Sequence, residues 1–440
     1  MRVHIEKLVF GGQGLGRTPE GRVVFVWNAL PGEDVDVEII KNRAGHTEAV
    51  ATAITNPSPD RVAPMETHWL SSSPWQHLSW ESELLWKKEI AAETYSKIGH
   101  CVLQSSDIDI ATNGRQYGYR NKIEFSFTTA CLPLVKGETE GSSISLAFFA
   151  RGKRYHIPAT GSLLAEPIIN EVAQNILVWI NTNQIPLRSL KTLIVRSDGA
   201  GHAIAALFIK DELAFTNYPT CSDTLLGFHL YYSTHKSPAS VPTKKLYGDG
   251  QDYLIAELKS AKLKFGLLSF FQINLPIFDQ ALTDIAAWLD PKIPVVDYYC
   301  GVGAISLPLS LNRTETALID NNAEAIQYAR ENIALNGRQN CAAHCVPAED
   351  MVEAIDKDKM IILDPPRAGL HERVVRHLLA RRPKRIIYLS CDLATQARDL
   401  QLLSESYALR FLKLYNFFPR TPHIEGLVIL DCQTPKNVVV

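Results

Sequence analysis

Apolar and polar residues alternate with a period of two through the first 55 positions: Val3 and Ile5, a glycine cluster at 11, 12, 14 and 16, Val23 to Trp27, the turn Pro31-Gly32, then Val35, Val37 and Ile39. Short strands at close spacing with Gly/Pro turns predict a small five-stranded barrel of OB type. Asn56-Pro57-Ser58-Pro59 ends it, because prolines so closely spaced oppose regular structure. From Trp80 to Ile98 the pattern of Leu84, Leu85, Ile90, Ala91, Tyr95 and Ile98 becomes helical.

Residues 115–260 carry strand-like segments at Tyr119 to Phe127, Ser145 to Phe149, Thr192 to Arg196, His202 to Ile209 and Gly227 to Ser233, with one helical stretch from Ile168 to Ile180. That mixture predicts an α+β insert. From Ser269 strand and helix alternate, as in a parallel, doubly wound sheet. The expected elements are a helix over Ile277 to Leu289, a strand entering Asp297, a strand at Ala317 to Asp320, a helix from Asn322 to Asn336 and strands at Met360 to Leu363 and Arg385 to Leu389. A helix from about Ala394 and a last pair of strands, Phe411 to Asn416 and Leu427 to Leu430, complete it. The fold class is therefore α/β, with expected divisions at 1–57, 58–98, 99–262 and 263–440.

The polar motifs fall just after strands, the edge along which open α/β sheets bind ligands. Val295 to Ser306 reads as strand, glycine turn and helix, with Gly301 and Gly303 in the turn and Asp320 closing the next strand as an acceptor for ribose hydroxyls. This is the pattern of a nucleoside-cofactor site. Taken alone it leaves open S-adenosyl-L-methionine, a nicotinamide or flavin cofactor, and a plain turn.

Composition narrows the class. The chain has 440 residues, 46% of them hydrophobic, and a formal charge of −2, so it is an ordinary globular chain of several domains. No apolar run approaches the roughly 18 residues of a spanning helix, and Arg2, His4, Glu6 and Lys7 interrupt a secretory start, so a cytoplasmic protein without a membrane partner is expected. Eight cysteines without a C-x-x-C pair suggest reduced thiols. Basic residues cluster at 111–160 and 367–400, each a candidate surface for nucleic acid or simply a solvated face. In the first, Tyr117, Tyr119, Phe125 and Tyr155 are interleaved as stacking residues or as core.

Three residues on the ligand edge have chemistry to offer. Asp364 heads a rigid Asp-Pro-Pro-Arg lip. Cys391 follows a strand and precedes a helix, where the helix N-terminus with Arg367 or Arg398 would favour the thiolate. Glu425, flanked by Ile424 and Leu427, is placed for a desolvated base, with His423 as a second titrating group in that loop.

Five motifs in order, Ser-Phe-Phe-Gln-Ile-Asn (269–274), Asp-Tyr-Tyr-Cys-Gly-Val-Gly (297–303), Asp-Pro-Pro-Arg-Ala-Gly (364–369), Leu-Ser-Cys-Asp-Leu-Ala-Thr-Gln-Ala-Arg-Asp-Leu (389–400) and Phe-Pro-Arg-Thr-Pro-His-Ile-Glu (418–425), resemble the series of the RNA (uracil-5-)-methyltransferases. The first 55 residues resemble a TRAM domain, and the whole is most similar to the 23S ribosomal RNA branch. The resemblance implies a class I, Rossmann-like methyltransferase domain behind an OB-type TRAM barrel and a central RNA-binding insert. It implies S-adenosyl-L-methionine as methyl donor, Cys391 as nucleophile on carbon 6 of uracil, and Glu425 as the base that removes the carbon 5 proton. Cofactor contacts are implied for Gln272, Tyr299, Gly301, Gly303, Asp320 and Asp364, and a base-facing role for Phe270 or Phe271. RNA, in the first place 23S ribosomal RNA, is the implied partner, with no obligate protein partner. The alternatives are a transfer RNA substrate, a noncatalytic RNA-binding protein on the same fold, and a nicotinamide-dependent oxidoreductase.

The sequence departs from the family pattern twice. The family often carries an iron–sulfur cluster on cysteines just ahead of a Trp-Gln-His motif. Here Trp75-Gln76-His77 is present but Met65 to Pro74 holds no cysteine, so no cluster and no metal is expected. The polar residue for the adenine falls near Pro347, where Glu349 or a backbone group would have to substitute.

Overall fold

The computed structural model of the protein describes residues 1–129, 143–238 and 240–433. The described chain forms two compact units. The first combines Met1–Glu83, Arg115–Leu254 and Pro419–Pro422; the second combines Leu84–Gly114, Ile255–Phe418 and the residues from His423 on.

In the first unit, β1 (Arg2–Leu8), β2 (Gly14–Arg17), β3 (Val23–Trp27), β4 (Asp34–Asn42) and β5 (His46–Thr55) form a closed barrel in the order β1-β2-β3-β5-β4. The two-residue period packs its interior: Val3, Ile5, Val24, Val26, Val35, Val37, Ala49 and Ala51 are buried together. The glycine cluster, read from sequence as a turn, also contributes β2. A Cβ on Gly14 would stand 2.8 Å from Ile5 Cγ2, and one on Gly16 would stand 2.2 Å from the His4 carbonyl oxygen, so glycine lets this strand approach β1. The fifth strand of the expected barrel was not located in the sequence, because His46–Thr55 is built largely of alanine and threonine and carries few bulky apolar residues.

One buried carboxylate ties the barrel to the chain after it. Glu33 is fully buried, accepts hydrogen bonds from the amides of Leu30 (2.8 Å) and Ser58 (3.0 Å), and is bridged by Arg61 through Nε (2.6 Å) and Nη2 (2.9 Å). Beyond it lie a one-turn helix α1 (Trp69–Ser72) and the long helix α2 (Trp80–Lys97). Between these the Gln76 amide donates to Glu66 Oε2 and Ser73 Oγ, both at 2.6 Å, while Glu66 Oε1 accepts the Leu163 amide at 2.6 Å. Side-chain hydrogen bonds thus hold the segment in which the sequence lacks cysteines.

After β6 (Asp109–Ala111), which belongs to the second unit, the insert builds a seven-stranded sheet from β7 (Lys122–Thr129), β8 (Ile144–Phe149), β9 (His156–Ala159), β10 (Leu190–Ser197), β11 (Ala203–Ile209), β12 (Leu225–Tyr232) and β13 (Lys244–Gly250). Its order is β13-β12-β11-β10-β7-β8-β9. Helix α3 (Pro167–Thr182) buries Ile169, Val172, Ile176 and Ile180 in the core it shares with the sheet, on the spacing read from sequence. Two of the interleaved aromatics are core: Phe125 is fully buried, and Tyr119 is buried with its hydroxyl donating to the Pro419 carbonyl at 2.9 Å. Arg151 lies over the Trp27 ring at 4.0 Å and donates to the Leu70 carbonyl at 2.7 Å, so part of the first basic cluster is structural. Lys136 of that cluster lies outside the described residues.

The second unit follows the predicted alternation. A hairpin of β14 (Tyr253–Leu258) and β15 (Ala261–Gly266) leads to α4 (Leu275–Trp288), β16 (Val295–Tyr298), α5 (Ser306–Leu309), β17 (Thr316–Asp320), α6 (Ala323–Leu335) and β18 (Cys341–Cys345). Then come β19 (Met360–Leu363), α7 (Glu372–Arg381), β20 (Arg385–Ser390), α8 (Leu393–Leu403), β21 (Tyr407–Tyr415) and β22 (Glu425–Cys432). The eight-stranded sheet runs β18-β17-β16-β19-β20-β22-β21-β6. Its β18-to-β20 part is parallel, and β22 is antiparallel to β20. Strand order reverses between β16 and β19, the switch point at which such sheets open a ligand crevice. Helix α7 was not expected: its sequence reads as a run of arginines, yet Val374, Val375 and Leu378 supply a buried stripe.

Glu33→Ala should cost about 3 kcal/mol or more, because it leaves the Arg61 charge half-buried and unpaired. Burial pushes the Glu33 carboxyl up, but Arg61 and the two amides outweigh it and hold it below the ordinary 4.5. Its contribution is therefore present above that pH and lost as pH falls through the lower folded value. Chemical denaturation of both proteins should show a gap at pH 7 that narrows in acid; equal stability at pH 7 would show the pair to be dispensable.

Candidate active site

The strand ends of the second unit are polar because the strands themselves are apolar and sealed. All four residues of β16 and all four of β19 are buried, and β20 is buried from Ile386 to Ser390. Their carboxyl ends open on a cavity of about 540 Å³. Seven of the residues selected from sequence line it: Cys391, Glu425, Gln272, Tyr299, Gly301, Asp320 and Asp364. Gly303 does not. It lies beneath the turn at φ +86°, where a Cβ would stand 2.5 Å from Leu307 Cδ1, so it packs the turn against the core.

The turn is held by a carboxylate. Asp320 Oδ2 accepts the Gly301 amide at 2.9 Å and its Oδ1 accepts the Asn322 amide at 2.8 Å, joining the ends of β16 and β17. Gly301 takes φ +56° with open space where a Cβ would be, and Tyr299 before it takes φ +63°, a conformation costly for a residue with a side chain. Such strain is retained where surrounding structure enforces it, here to lay the tyrosine along the cavity wall. Asn322 caps α6 by accepting the Ala325 amide at 3.0 Å. Sequence reading began a helix at Asn322 but did not place Asn322, Ala325 or Ile305 at the cavity, although an asparagine just after a strand and before a helix is a cap signal.

Burial sets the electrostatics. Asp297 is fully buried behind the turn, and burial with nearby Asp320 outweighs the opposing effect of Ser306 and pushes its carboxyl up to about 7. Asp364 is likewise raised to about 7 by burial and by Asp297. Glu425 is raised well above 4.5 by burial and by Asp364. Three carboxyls short of counter-ions, a glycine turn open to solvent and an acceptor at the end of β17 fit a nucleoside whose other end is cationic.

The thiol differs from expectation. Burial, Glu425 and Asp364 push Cys391 up to about 11, against the opposing pull of Arg367. The N-terminal amides of α8 do not face the sulfur alone, because Asp392 Oδ1 already accepts those of Ala394 (3.1 Å) and Thr395 (3.0 Å). Arg398 is committed to Asp399 Oδ1 (2.7 Å) and the Ala368 carbonyl (3.1 Å).

Position also separates the two phenylalanines. Both line the cavity, but Phe271 is buried and stacked on Phe265 at 4.0 Å between centroids, whereas Phe270 is 75% exposed. His423 is exposed, 5.6 Å from the Phe418 ring, and Pro347 and Glu349 are not among the lining residues. Among the described residues no group of three or more His, Cys, Asp or Glu is placed to hold a metal ion.

Comparison with known proteins gives these features a context. Residues 251–433 match the family model described as tRNA (Uracil-5-)-methyltransferase, and residues 1–52 match the TRAM domain. An RNA methyltransferase of Thermosynechococcus vestitus, itself uncharacterised, is 26% identical over 98% of this chain and 97% of its own length. Another uncharacterised RNA methyltransferase, from Bacteroides thetaiotaomicron, is 29% identical over 93% of this chain and 96% of its own. Among solved structures, the Pyrococcus abyssi tRNA (uracil-54, C5)-methyltransferase in complex with S-adenosyl-L-homocysteine aligns with a TM-score of 0.77 over 98% of this chain and all of that one. At 21% identity that likeness shows the fold.

The contrast between the phenylalanines is measurable. Phe271→Ala should cost about 3–5 kcal/mol in chemical denaturation, as expected for emptying a buried aromatic site. Phe270→Ala should change stability by no more than about 0.5 kcal/mol, as expected for an exposed side chain. Equal losses would contradict these positions.

Proposed function

The chain belongs to the S-adenosyl-L-methionine-dependent RNA (uracil-5-)-methyltransferases, and on that premise we propose that it methylates carbon 5 of a particular uridine through a covalent bond between Cys391 and the base. The observation that carries this reading is the single cavity lined by both Cys391 and Glu425 together with Gln272, Tyr299, Gly301, Asp320 and Asp364. The domain reading is a TRAM barrel at 1–57, a linker and helix at 58–98, an RNA-binding insert at 99–262 and the methyltransferase domain at 263–440, in a cytoplasmic protein. Among the described residues no helix is long and apolar enough to cross a membrane.

Carbon 5 of uracil is a weak nucleophile, and the residues are suited to making it a strong one. The Cys391 thiolate adds to carbon 6, and the electron pair displaced from the 5,6 double bond enriches carbon 5 as an enolate. S-adenosyl-L-methionine, when bound, supplies the electrophilic methyl group that carbon 5 receives. The Glu425 carboxylate then removes the proton left on carbon 5, and the carbon 6–sulfur bond breaks to restore the ring and the thiolate. The acceptors of Asp320 suit the ribose hydroxyls of the donor, Asp364 and Gln272 its polar ends, and Tyr299 its flat base. The base undergoing reaction must leave its stack, and exposed Phe270 at the cavity is placed to lie against it.

The substrate we propose is structured RNA, 23S ribosomal RNA first. Transfer RNA is the second reading, favoured by the match of residues 251–433 to the tRNA (Uracil-5-)-methyltransferase family model. Mapping 5-methyluridine in ribosomal and transfer RNA from cells lacking the gene separates them: the site that disappears names the substrate.

Cys391→Ala should abolish methyl transfer to RNA, whereas Glu425→Gln should allow addition and block release, trapping a protein–RNA adduct that migrates slowly in denaturing gels. Near-normal turnover by the alanine variant would contradict the mechanism. Both the thiol and the base act in their ionised forms and both are raised. The rate of the chemical step should therefore climb from pH 6 towards pH 9, and a rate falling over that range would contradict the assignments.

A further inference from the structure

The mechanism needs a thiolate, and the cavity as built opposes one. Glu425 at the head of β22, Asp364 after β19 and Asp392 at the cap of α8 all bear on the sulfur as anions or potential anions. The helix amides and Arg398, which would have favoured the thiolate, are engaged elsewhere. Arg367 remains. It lines the same cavity, is exposed, and makes no hydrogen bond or ion pair among the described residues. It is the only cation among the lining residues.

The loop that carries it is fixed. Pro365 and Pro366 restrict the backbone after Asp364, the Gly369 amide donates to the Pro366 carbonyl at 2.9 Å, and Arg398 holds the Ala368 carbonyl. Gly369 lies at φ +78°, with Arg398 Nη2 2.5 Å from where a Cβ would be, so the loop closes tightly over the Arg398–Asp399 pair. A rigid loop that leaves one guanidinium unpaired at the cavity suits a group with an electrostatic task there.

We propose that Arg367 is the positioning residue that stabilises the Cys391 thiolate, its guanidinium offsetting the surrounding carboxylates while the thiol proton leaves to solvent through the open cavity. The role rests on Cys391 being the nucleophile of the proposed reaction, but it is a property of the sulfur that can be read without RNA or methyl donor.

The test is the pH dependence of alkylation of the full chain by iodoacetamide, followed by mass spectrometry of the tryptic peptide Ile386–Arg398. Exposed Cys345 serves as an internal control. Arg367→Gln should slow alkylation of Cys391 at pH 8 by about ten-fold and move its pH midpoint upward, the effect of removing one nearby charge. Arg367→Lys should restore most of the rate, and Cys345 should react equally in all three proteins. Unchanged Cys391 alkylation in Arg367→Gln, or a loss that Lys does not rescue, would overturn the proposal. If Arg367 controls the alkylation while the wild-type protein methylates no RNA, this inference stands and the proposed function falls.

Discussion

Withdrawal of ionisable groups from water at the carboxyl edge of the eight-stranded sheet is the constraint on which the site depends. The parallel strands are sealed by apolar side chains, so any polar residue at their ends is desolvated by its surroundings. Asp297, Asp364, Glu425 and Cys391 are all pushed upward first by this burial and then by one another's charges or that of Asp320. A carboxyl raised by burial is a stronger base towards a carbon-bound proton than one in water, and buried acids without counter-ions favour a cationic ligand. The same environment makes a thiolate expensive, which is why one unpaired arginine carries so much of the account.

A second constraint is mechanical. Asp320 links the ends of β16 and β17 through the Gly301 and Asn322 amides, and the end of β22 is pinned from the opposite side. There the buried Gln396 donates to the carbonyls of Tyr388 (2.9 Å) and Gly426 (3.0 Å) and accepts from the Tyr95 hydroxyl (2.5 Å). A Cβ on Gly426 would stand 2.5 Å from that hydroxyl, so the residue after Glu425 must be glycine for the strand to sit where it does. Base and glycine turn are thus fixed by hydrogen bonds that fill no part of the cavity.

Much of this was legible in the sequence. Alternation exposed the barrel, and the switch to strand–helix alternation exposed the doubly wound sheet, because both periods are imposed by a single buried face. Short or weakly apolar elements escaped: β5 for its alanines and threonines, β18 because Cys341–Cys345 carries no large aliphatic residue, and α7 because its charged face outnumbers its buried one. In the site, residue type and position picked out Gly301, Asp320, Asp364, Cys391 and Glu425 among the cavity's lining residues, and the family resemblance added Gln272 and Tyr299. What the pattern could not supply was who satisfies whom. That Asp392 occupies the α8 amides and Asp399 holds Arg398 are facts of three-dimensional partnership, and they withhold the support the thiolate was expected to have while burial, Glu425 and Asp364 push Cys391 up. Likewise Phe270 and Phe271 are equivalent in sequence and opposite in exposure.

The central claim is that sulfur and carbon 6 become bonded during turnover. It is tested most directly with RNA in which 5-fluorouridine replaces uridine, drawn from cells lacking the gene, incubated with the protein and S-adenosyl-L-methionine. Fluorine leaves Glu425 no proton to remove, so the bond to sulfur persists. The account predicts that the peptide Ile386–Arg398 gains the mass of a methylated fluoronucleotide on Cys391. Recovery of that peptide unmodified, or the same mass on another residue, would contradict it.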